Sequence, residues 1–377
     1  MTHPDVAVVG AGIGGLTAAV ALARRGARCV VFERHPCLPE DGAGIQVSPN
    51  AAAELYRLGL EDAFATAIRP AGREIRRWRD DTVLSRVDLT RHEVPYFTMR
   101  RADLVRALLE AVRRTQGPDA VRFGRRCVGV WDEGSRVLVG FDDHTATAAG
   151  LVIGADGLRS AVAGAFRPEP PRYSGHVACR AVLPIEAAGG PAGPDRVVAW
   201  LGPRRHCVAY PIDRGRQLNL VVTTPAPHPT GPAETVGAAD LLCQYRGWHP
   251  AVRGLIGAAR RLGRYPLYDR PPTPDPWRGR VVLIGDAAHP MLPFLAQGAA
   301  QAIEDAVAVA DCLDRPDAPA RYAATRLPRV RRVTEASHAG LHAYHLPDGP
   351  EQQRRDRAMA VAAPAALDWL YGRPAPV

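Results

Sequence analysis

Lysine is absent from this 377-residue sequence, so all 48 positions counted as lysine or arginine are arginine. Any mechanism that needs a lysine amine, Schiff-base formation included, is thereby excluded. No apolar run is long enough to cross a bilayer, and the chain enters an apolar strand within a few residues of Met1, leaving no room for a signal peptide. A cytoplasmic protein without a membrane partner is expected. The seven cysteines are odd in number and form no Cys-x-x-Cys pair, which fits reduced thiols rather than a disulfide framework. The net charge of +9 comes from arginines scattered along the chain without a recognition motif, so no nucleic-acid partner is expected and the charge favours small anionic substrates. Internal repeats and low-complexity segments are missing as well.

Apolar residues make up 46% of the chain, enough for a sizeable core and, at this length, two to three domains. Set among them are three glycine-bearing segments in a fixed order: Val6 to Ala21, Gly154 to Gly157, and Gly285 to Pro290. The first reads as an apolar strand that breaks on glycines and runs into a helix from Leu16 to Arg25. Gly10 permits the tight turn, Gly12 lets the backbone approach a pyrophosphate, and Gly15 lets the helix pack on the sheet, so the helix amides meet the phosphate charge. A second strand, Cys29 to Phe32, ends on Glu33, where an acid hydrogen-bonds ribose hydroxyls. This turn alone does not separate FAD from NAD. Asp156 and Asp286 each end a buried strand and converge with the turn on one extended ligand. Asp286 is placed to accept a hydrogen bond from a ribityl chain, with helix capping as the alternative role. The helix entered at Gln297, Gly298 and Ala299 points its amide end at a ring that becomes anionic on reduction.

Gly10 to Gly15, Asp156-Gly157 and Gly285-Asp286 resemble the three fingerprints of the class A flavoprotein aromatic hydroxylases, which share the para-hydroxybenzoate hydroxylase fold. The strings Gly42 to Asn50, Arg101 to Leu104, His206 to Pro211 and His345 to Pro350 resemble the branch holding salicylate hydroxylases and 6-hydroxynicotinate 3-monooxygenases. The resemblance covers nearly the whole chain. It implies FAD held by Gly10, Gly12, Gly14, Gly15, Glu33, Arg34, Arg101, Asp156, Gly157, Gly285, Asp286, Pro293, Gln297, Gly298 and Ala299. One departure stands out: the family's arginine shortly after the Ser160 position is replaced by Ala161, Val162 and Ala163, with Arg159 the nearest substitute. The missing lysine also sets the chain apart from the flavin-dependent halogenases on the same fold.

The fold class expected is α/β, a Rossmann-like FAD-binding layer interleaved with a mixed antiparallel β-sheet substrate layer and followed by C-terminal helices. Residues 1–70, 97–168 and 275–320 are assigned to the discontinuous FAD-binding domain, 71–96 and 169–274 to the substrate-binding domain, and 321–377 to the helical tail. Within these, Arg101 to Arg113 reads as an amphipathic helix, Val121 to Val130 as one strand, Asp240 to Ala259 as a helical stretch, and the proline-rich Pro266 to Trp277 as a connector.

No second Rossmann turn exists for a nicotinamide cofactor, so NAD(P)H would bind transiently, deliver hydride and leave. The resemblance implies that reduced flavin and O2 give a C4a-hydroperoxide, which transfers OH to an activated ring. His206 and Tyr210 share one strand face by the period of two. By resemblance they touch the substrate, with His206 as base and Tyr210 as its hydrogen-bonding partner; Pro293 and Phe294 complete the substrate contacts. A structural role for His206 remains open from the residues alone. His289 and Met291 are further pocket candidates, and Arg180 and Trp200 are candidates for an aromatic carboxylate. His338, His342 and His345 have helical spacing without a nearby acidic or cysteine ligand, and no metal is expected. Glu304-Asp305 fits capping or packing as well as catalysis. The expected function is an FAD- and NAD(P)H-dependent monooxygenase, monomeric or homodimeric, that hydroxylates a phenolic or hydroxy-heteroaromatic acid with or without loss of the carboxylate. The alternatives are an epoxidase or hydroxylase of a natural-product intermediate, and a non-catalytic FAD-binding protein.

Overall fold

The computed structural model describes residues 4–38, 43–166, 169–187, 190–229, 231, 234–362 and 364–372. Gly42 of the quoted string, residues 1–3 and the closing 373–377 lie outside them. Val6–Val9 is buried throughout because it is the interior strand of a sheet covered on both faces. It pairs in parallel with Cys29–Phe32 on one side and Leu151–Gly154 on the other. Val281–Leu283 continues the parallel order, Val121–Arg122 closes one edge, and the antiparallel Trp277–Arg278 closes the other. The carboxyl ends of three neighbouring strands therefore deliver Gly10, Ala155-Asp156 and Gly285-Asp286 to one crevice, the usual ligand position of an open α/β sheet.

Helices Ile13–Arg24 and Gly298–Cys312 follow the first and third of these ends. They pack closely because Gly14 has no side chain; a Cβ there would sit 3.2 Å from the Ala302 methyl. On the opposite face of the sheet lies a meander of Cys127–Asp132, Val137–Phe141 and Ala146–Ala149, sharing a core with Ala7, Val9 and Leu283.

The second layer is an eight-stranded sheet in the order 235–237, 261–269, 172–184, 217–225, 205–212, 196–202, 72–77, 83–88. Only the pair of 196–202 with 72–77 is parallel. One face packs on a core containing Trp78, Trp200, Tyr245 and Trp248 under helices Ala238–Gln244 and Pro250–Ala258. Period-two alternation assigns Cys207, Ala209, Leu220 and Val222 to that core and turns His206, Val208, Tyr210, Val221 and Thr223 to the cleft. Helices Ala318–Ala343, Pro350–Val361 and Asp368–Tyr371 form the tail. Among the described residues no helix is long and apolar enough to cross a membrane.

Three local expectations are corrected. The connector over Pro266 to Trp277 begins as strand, because Arg261–Asp269 pairs with Arg172–Pro184 through Pro266. The last outer-edge bond of that strand is Arg264 N–H to the Glu234 carbonyl, and past it no described residue pairs with that edge, so a proline's missing N–H costs no ladder bond. The stretch Asp240 to Ala259 is two helices, since Pro250 starts a new one at its first position with His249 as cap. Val121 to Val130 divides at Phe123 because its two halves belong to different sheets.

Candidate active site

Two connected compartments of about 360 and 440 Å³ run along the crevice, sharing Gly12, Arg101, Ala155 and Gly157 in their walls. At the outer end Gly10 adopts φ +105°, and a Cβ on it would fall 2.5 Å from the Ala155 carbonyl oxygen. Gly15 is held still closer, its hypothetical Cβ 1.9 Å from the Gly10 oxygen. Gly12 differs: a Cβ there meets nothing within 4 Å, because the residue faces the cleft at the amino end of the first helix. That is the shape expected of a cradle for a group brought up against the backbone.

Glu33 is buried at the end of its strand, its Oε2 accepting the Ala11 amide and its Oε1 the His35 amide, both at 2.9 Å. Its carboxylate thus rigidifies the glycine turn while lining the compartment, and retains lone pairs for a further donor. Arg34, Arg101, Arg125, Arg126 and Arg159 stand around the same compartment, a basic rim suited to a pyrophosphate. Arg159 lies there although the arginine expected after Ser160 is missing. Asp156 has its carboxylate turned onto its own loop, accepting Ser160 Oγ at 2.5 Å and the Ala161 amide at 2.7 Å. Burial raises its pKa against those bonds. Gly157, at φ +79°, carries the chain past this cap.

At the inner end Gly285 takes φ +55° beneath Ala302, and its amide donates to Asp305 Oδ2 at 2.9 Å. Asp305 also holds His289 Nε2 at 2.5 Å and accepts from Arg326 Nε at 2.7 Å, while Arg326 pairs with Glu304. The attraction of His289 and Arg326 outweighs burial and keeps the Asp305 carboxyl far below its usual range. Glu304-Asp305 is therefore a buried anchor for the loop bearing Asp286, and His289 belongs to that anchor rather than to the lining of either compartment. Asp286 itself has no hydrogen-bond partner among the described residues. It keeps accessible surface because it opens onto the cleft, yet lies deep enough that burial raises its pKa, opposed by His289, Arg101 and Arg270. Arg101 lines both compartments, and burial together with Arg180 lowers its pKa.

The helix beginning at Gly298 is entered through a short turn, Pro293–Leu295, and Ala296 at φ +54°, a left-handed conformation that costs a non-glycine residue about 1–2 kcal/mol. Pro293, Ala296, Gly298 and Ala299 line the inner compartment. The first amides of that helix have no partner within it. Gln297, expected among those amides, is not in the lining of either compartment. Its buried side chain donates to Ser48 Oγ at 2.9 Å and accepts from Asn50 Nδ2 at 3.2 Å.

The facing wall is the second sheet. His206, Val208 and Tyr210 lie in a row beside Val221, Thr223 and Arg180, with Gly44 to Gln46 and Met291 closing the sides. Gly44 matters for a spatial reason: a Cβ there would collide with the Tyr210 ring at 2.7 Å. Tyr210 is buried beside the amides of Gln46 and Asn219, and burial pushes its phenol up. His206 is buried too, with Nδ1 at 2.8 Å from His345 Nε2 and Nε2 at 3.2 Å from Thr223 Oγ1. Burial, then His345 and His176, hold it well below the usual histidine range, so its ring is neutral. Phe294 does not line the cleft. It backs His206, ring centroids 5.3 Å apart.

Of the two carboxylate candidates only Arg180 reaches the site. It has no acidic partner among the described residues, and its Nε is buried without a hydrogen bond. Trp200 points to the other face, where its indole donates to Asp81 at 2.7 Å. His338 pairs with Asp269, His342 is exposed, and the described residues hold no cluster suited to a metal. Sequence reasoning quoted Gly44 and Gln46 within the Gly42 to Asn50 string without giving them a site role, and passed over Val221 and Thr223. The last two follow from the alternation that placed His206 and Tyr210, read one strand further.

The free Gly12 cradle, the acid at Glu33, the basic rim and the unpartnered Asp286 at the opposite end together fit FAD laid along the crevice. Comparison with known proteins agrees. The model of the FAD binding domain family matches residues 3–337. A 3-amino-4-hydroxybenzoate 2-monooxygenase of Streptomyces cremeus is 42% identical across 98% of this chain and 95% of its own. A 6-hydroxynicotinate 3-monooxygenase of Pseudomonas fluorescens is 36% identical across 89% of this chain and 90% of its own. Among solved structures, Klebsiella pneumoniae HpxO complexed with FAD and uric acid superposes with a TM-score of 0.82 at 29% identity, covering 95% of this chain and 93% of that one. The chain belongs to the FAD binding domain family, as an FAD-dependent aromatic monooxygenase on the branch that holds these relatives.

Proposed function

We propose that this monooxygenase hydroxylates an aminohydroxybenzoate or a closely similar phenolic acid, using NAD(P)H as a transient reductant and O2. The observation that carries the reading is the single sheet face on which an unpartnered arginine, Arg180, stands with His206, Thr223 and Tyr210 above the inner end of the FAD crevice. An aromatic acid matches that face. Its carboxylate supplies the counter-charge Arg180 lacks, a hydrogen bond of the charge-assisted kind, and its phenol meets the polar groups of the neighbouring strands. The relative acting on 3-amino-4-hydroxybenzoate supports this class over a larger natural-product ring.

Bound FAD supplies the electron transfer and oxygen activation. The chain's own part begins with the ring of the substrate. A neutral His206 can take the phenol proton, raising electron density at the attacked carbon, and general bases of this kind contribute about 10²- to 10⁴-fold. Tyr210, kept protonated by burial, serves as hydrogen-bond donor to the resulting oxyanion. Met291, Pro293 and Val208 exclude water from the same space. Asp286 would accept a hydrogen bond from the ribityl chain, and the amides at Gly298 and Ala299 would stabilise the negative charge that the ring gains on reduction.

The test is NAD(P)H consumption and product formation with 3-amino-4-hydroxybenzoate, 6-hydroxynicotinate and 2-aminophenol, which lacks the carboxylate. The benzoate should accelerate NAD(P)H oxidation and give near-stoichiometric hydroxylated product, and 2-aminophenol should do neither at comparable concentration. Equal turnover of acid and aminophenol overturns the role of Arg180, and stimulation by neither acid overturns the substrate class.

A further inference from the structure

The buried side chain closest to the proposed base belongs to a segment that contributes nothing else to the cleft. His345 lies just beyond the helix ending at Ala343 and turns inward, its Nε2 2.8 Å from His206 Nδ1. The two rings are nearly parallel, with centroids 5.0 Å apart and planes at 25°. His176 stacks on His345 at 4.8 Å and 12°. Among the described residues these rings form no cluster suited to a metal.

A hydrogen bond between two neutral imidazoles has room for one proton, so only two arrangements exist. In one, His345 Nε2–H donates to His206 Nδ1. His345 Nδ1 is then a bare lone pair, buried without a hydrogen-bond donor and with the Leu341 carbonyl as its backbone neighbour, and His206 Nε2 carries a proton and cannot accept one. In the other, His206 Nδ1–H donates to His345 Nε2. His345 then keeps its proton on Nδ1, which has no formed hydrogen bond but has the Leu341 carbonyl, an acceptor that favours a proton there, as its backbone neighbour. His206 Nε2 is left with a free lone pair, to which Thr223 Oγ–H donates across 3.2 Å. The polar groups facing the pair are His176, Tyr344 and, beside His176, Arg204 and Arg205. None supplies a negative charge that would favour a protonated pair.

We propose that His345 is a positioning residue: by accepting the Nδ1–H of His206 it fixes the tautomer in which His206 Nε2 is the proton acceptor toward the cleft. This rests on the reading of His206 as the base. The step it permits is balanced and involves no change of oxidation state. The phenol O–H bond breaks as its proton passes to Thr223 Oγ, the Thr223 proton passes to His206 Nε2, and the phenolate remains in the pocket. The new imidazolium keeps its Nδ1–H on His345 throughout. Orientation of a base by a third group is a recurrent device, and loss of the orienting group is felt in turnover rather than in binding.

The test uses the FAD-loaded enzyme with two variants. His345→Phe keeps a ring in the stack and removes both nitrogens; His345→Gln restores an acceptor oxygen. His345→Phe should keep full FAD content and a KM within about threefold, while kcat for hydroxylation and product per NAD(P)H fall roughly 10- to 100-fold. His345→Gln should recover most of that loss. Histidine ¹⁵N spectra, with the His206 signal identified by its absence in His206→Ala, should show Nδ1 protonated and Nε2 bare in the wild type and a mixture in His345→Phe. A wild-type His206 protonated on Nε2 overturns the proposal by itself. So does wild-type turnover in His345→Phe, or a shared loss of FAD content, KM and kcat that His345→Gln does not rescue. Undiminished turnover in His206→Ala instead overturns the assignment of the base, a result distinct from the tautomer spectrum.

Discussion

Replacing Gly12 with alanine should separate cofactor binding from folding. A Cβ at this position meets no protein atom within 4 Å, and the backbone, at φ −76° and ψ −177°, is extended and open to any residue. Stability of the FAD-free chain should therefore stay within about 0.5 kcal/mol of wild type. The methyl enters the cleft at the helix amino end instead, where the pyrophosphate must approach. Loss of that approach should weaken FAD binding about 100-fold or more, about 2.7 kcal/mol. Mass action then gives a second readout. Free FAD at 100 times the wild-type Kd raises wild-type stability by about 2.7 kcal/mol, and the same FAD raises the variant by only about 0.4 kcal/mol. Gly15→Ala is the matched control, because its methyl would lie 1.9 Å from the backbone oxygen of Gly10 and neither atom can turn aside. Overpacking costs about 1–3 kcal/mol where side chains can adjust, so Gly15→Ala should cost the FAD-free chain about 3 kcal/mol or more. Urea unfolding without FAD and titration of flavin fluorescence read the two effects separately. Wild-type FAD affinity in Gly12→Ala, or wild-type stability in Gly15→Ala, refutes the reasoning.

His206→Ala should retain FAD and slow hydroxylation by roughly 10²- to 10⁴-fold, with NAD(P)H oxidation persisting as hydrogen peroxide release; undiminished coupling would leave His206 a structural residue. Arg180→Met should raise KM for an aromatic acid by about 10- to 150-fold, the worth of a hydrogen bond to a charged group at about 1.5–3 kcal/mol, and leave a decarboxylated analogue nearly unaffected. An equal rise for both compounds places the carboxylate elsewhere. Stability should also fall on acidification from about pH 6.5, because burial and His176 lower His345 from 6.5 to about 3. Between those values the unfolded chain binds the proton and the folded one does not, so stability rises with pH there and the stabilisation is lost as pH drops. His345→Phe should flatten that arm of the curve in urea unfolding at graded pH, and an unchanged slope refutes the assignment.

The cofactor half of the molecule was legible because its constraints are local in sequence. A strand that must stop, a turn that must approach a phosphate and an acid at the next strand's end are all written between Val6 and Glu33, and the structure adds mainly the bond by which Glu33 braces Ala11. The substrate face was legible in part. Alternation placed His206 and Tyr210 together, but it does not say which face of a strand turns inward, so Arg180 and Trp200 read alike. The register between strands separates them: Arg180 stands opposite Val221, in the row of the cleft, and Trp200 stands opposite Cys207, in the row of the core.

What was not legible depends on where an element stops. His338, His342 and His345 look like one helical face only if the helix continues through all three. It ends at Ala343, and Tyr344 caps it. The two outer histidines stay near the surface, one on Asp269 and one exposed, while His345 leaves the helical path and reaches a strand residue 139 positions earlier in the chain. No period carries that information, since the contact is made by the turn into the segment His345 to Pro350. The same holds for Asp305, whose position on a helix suggested capping or packing and whose partners lie on two other segments, Gly285 and His289 on one and Arg326 on the other. The glycines and acids that line the crevice are set by the strands they end. Residues that orient those around them are set by the ends of helices, where a single residue of difference decides whether a side chain faces solvent or the interior.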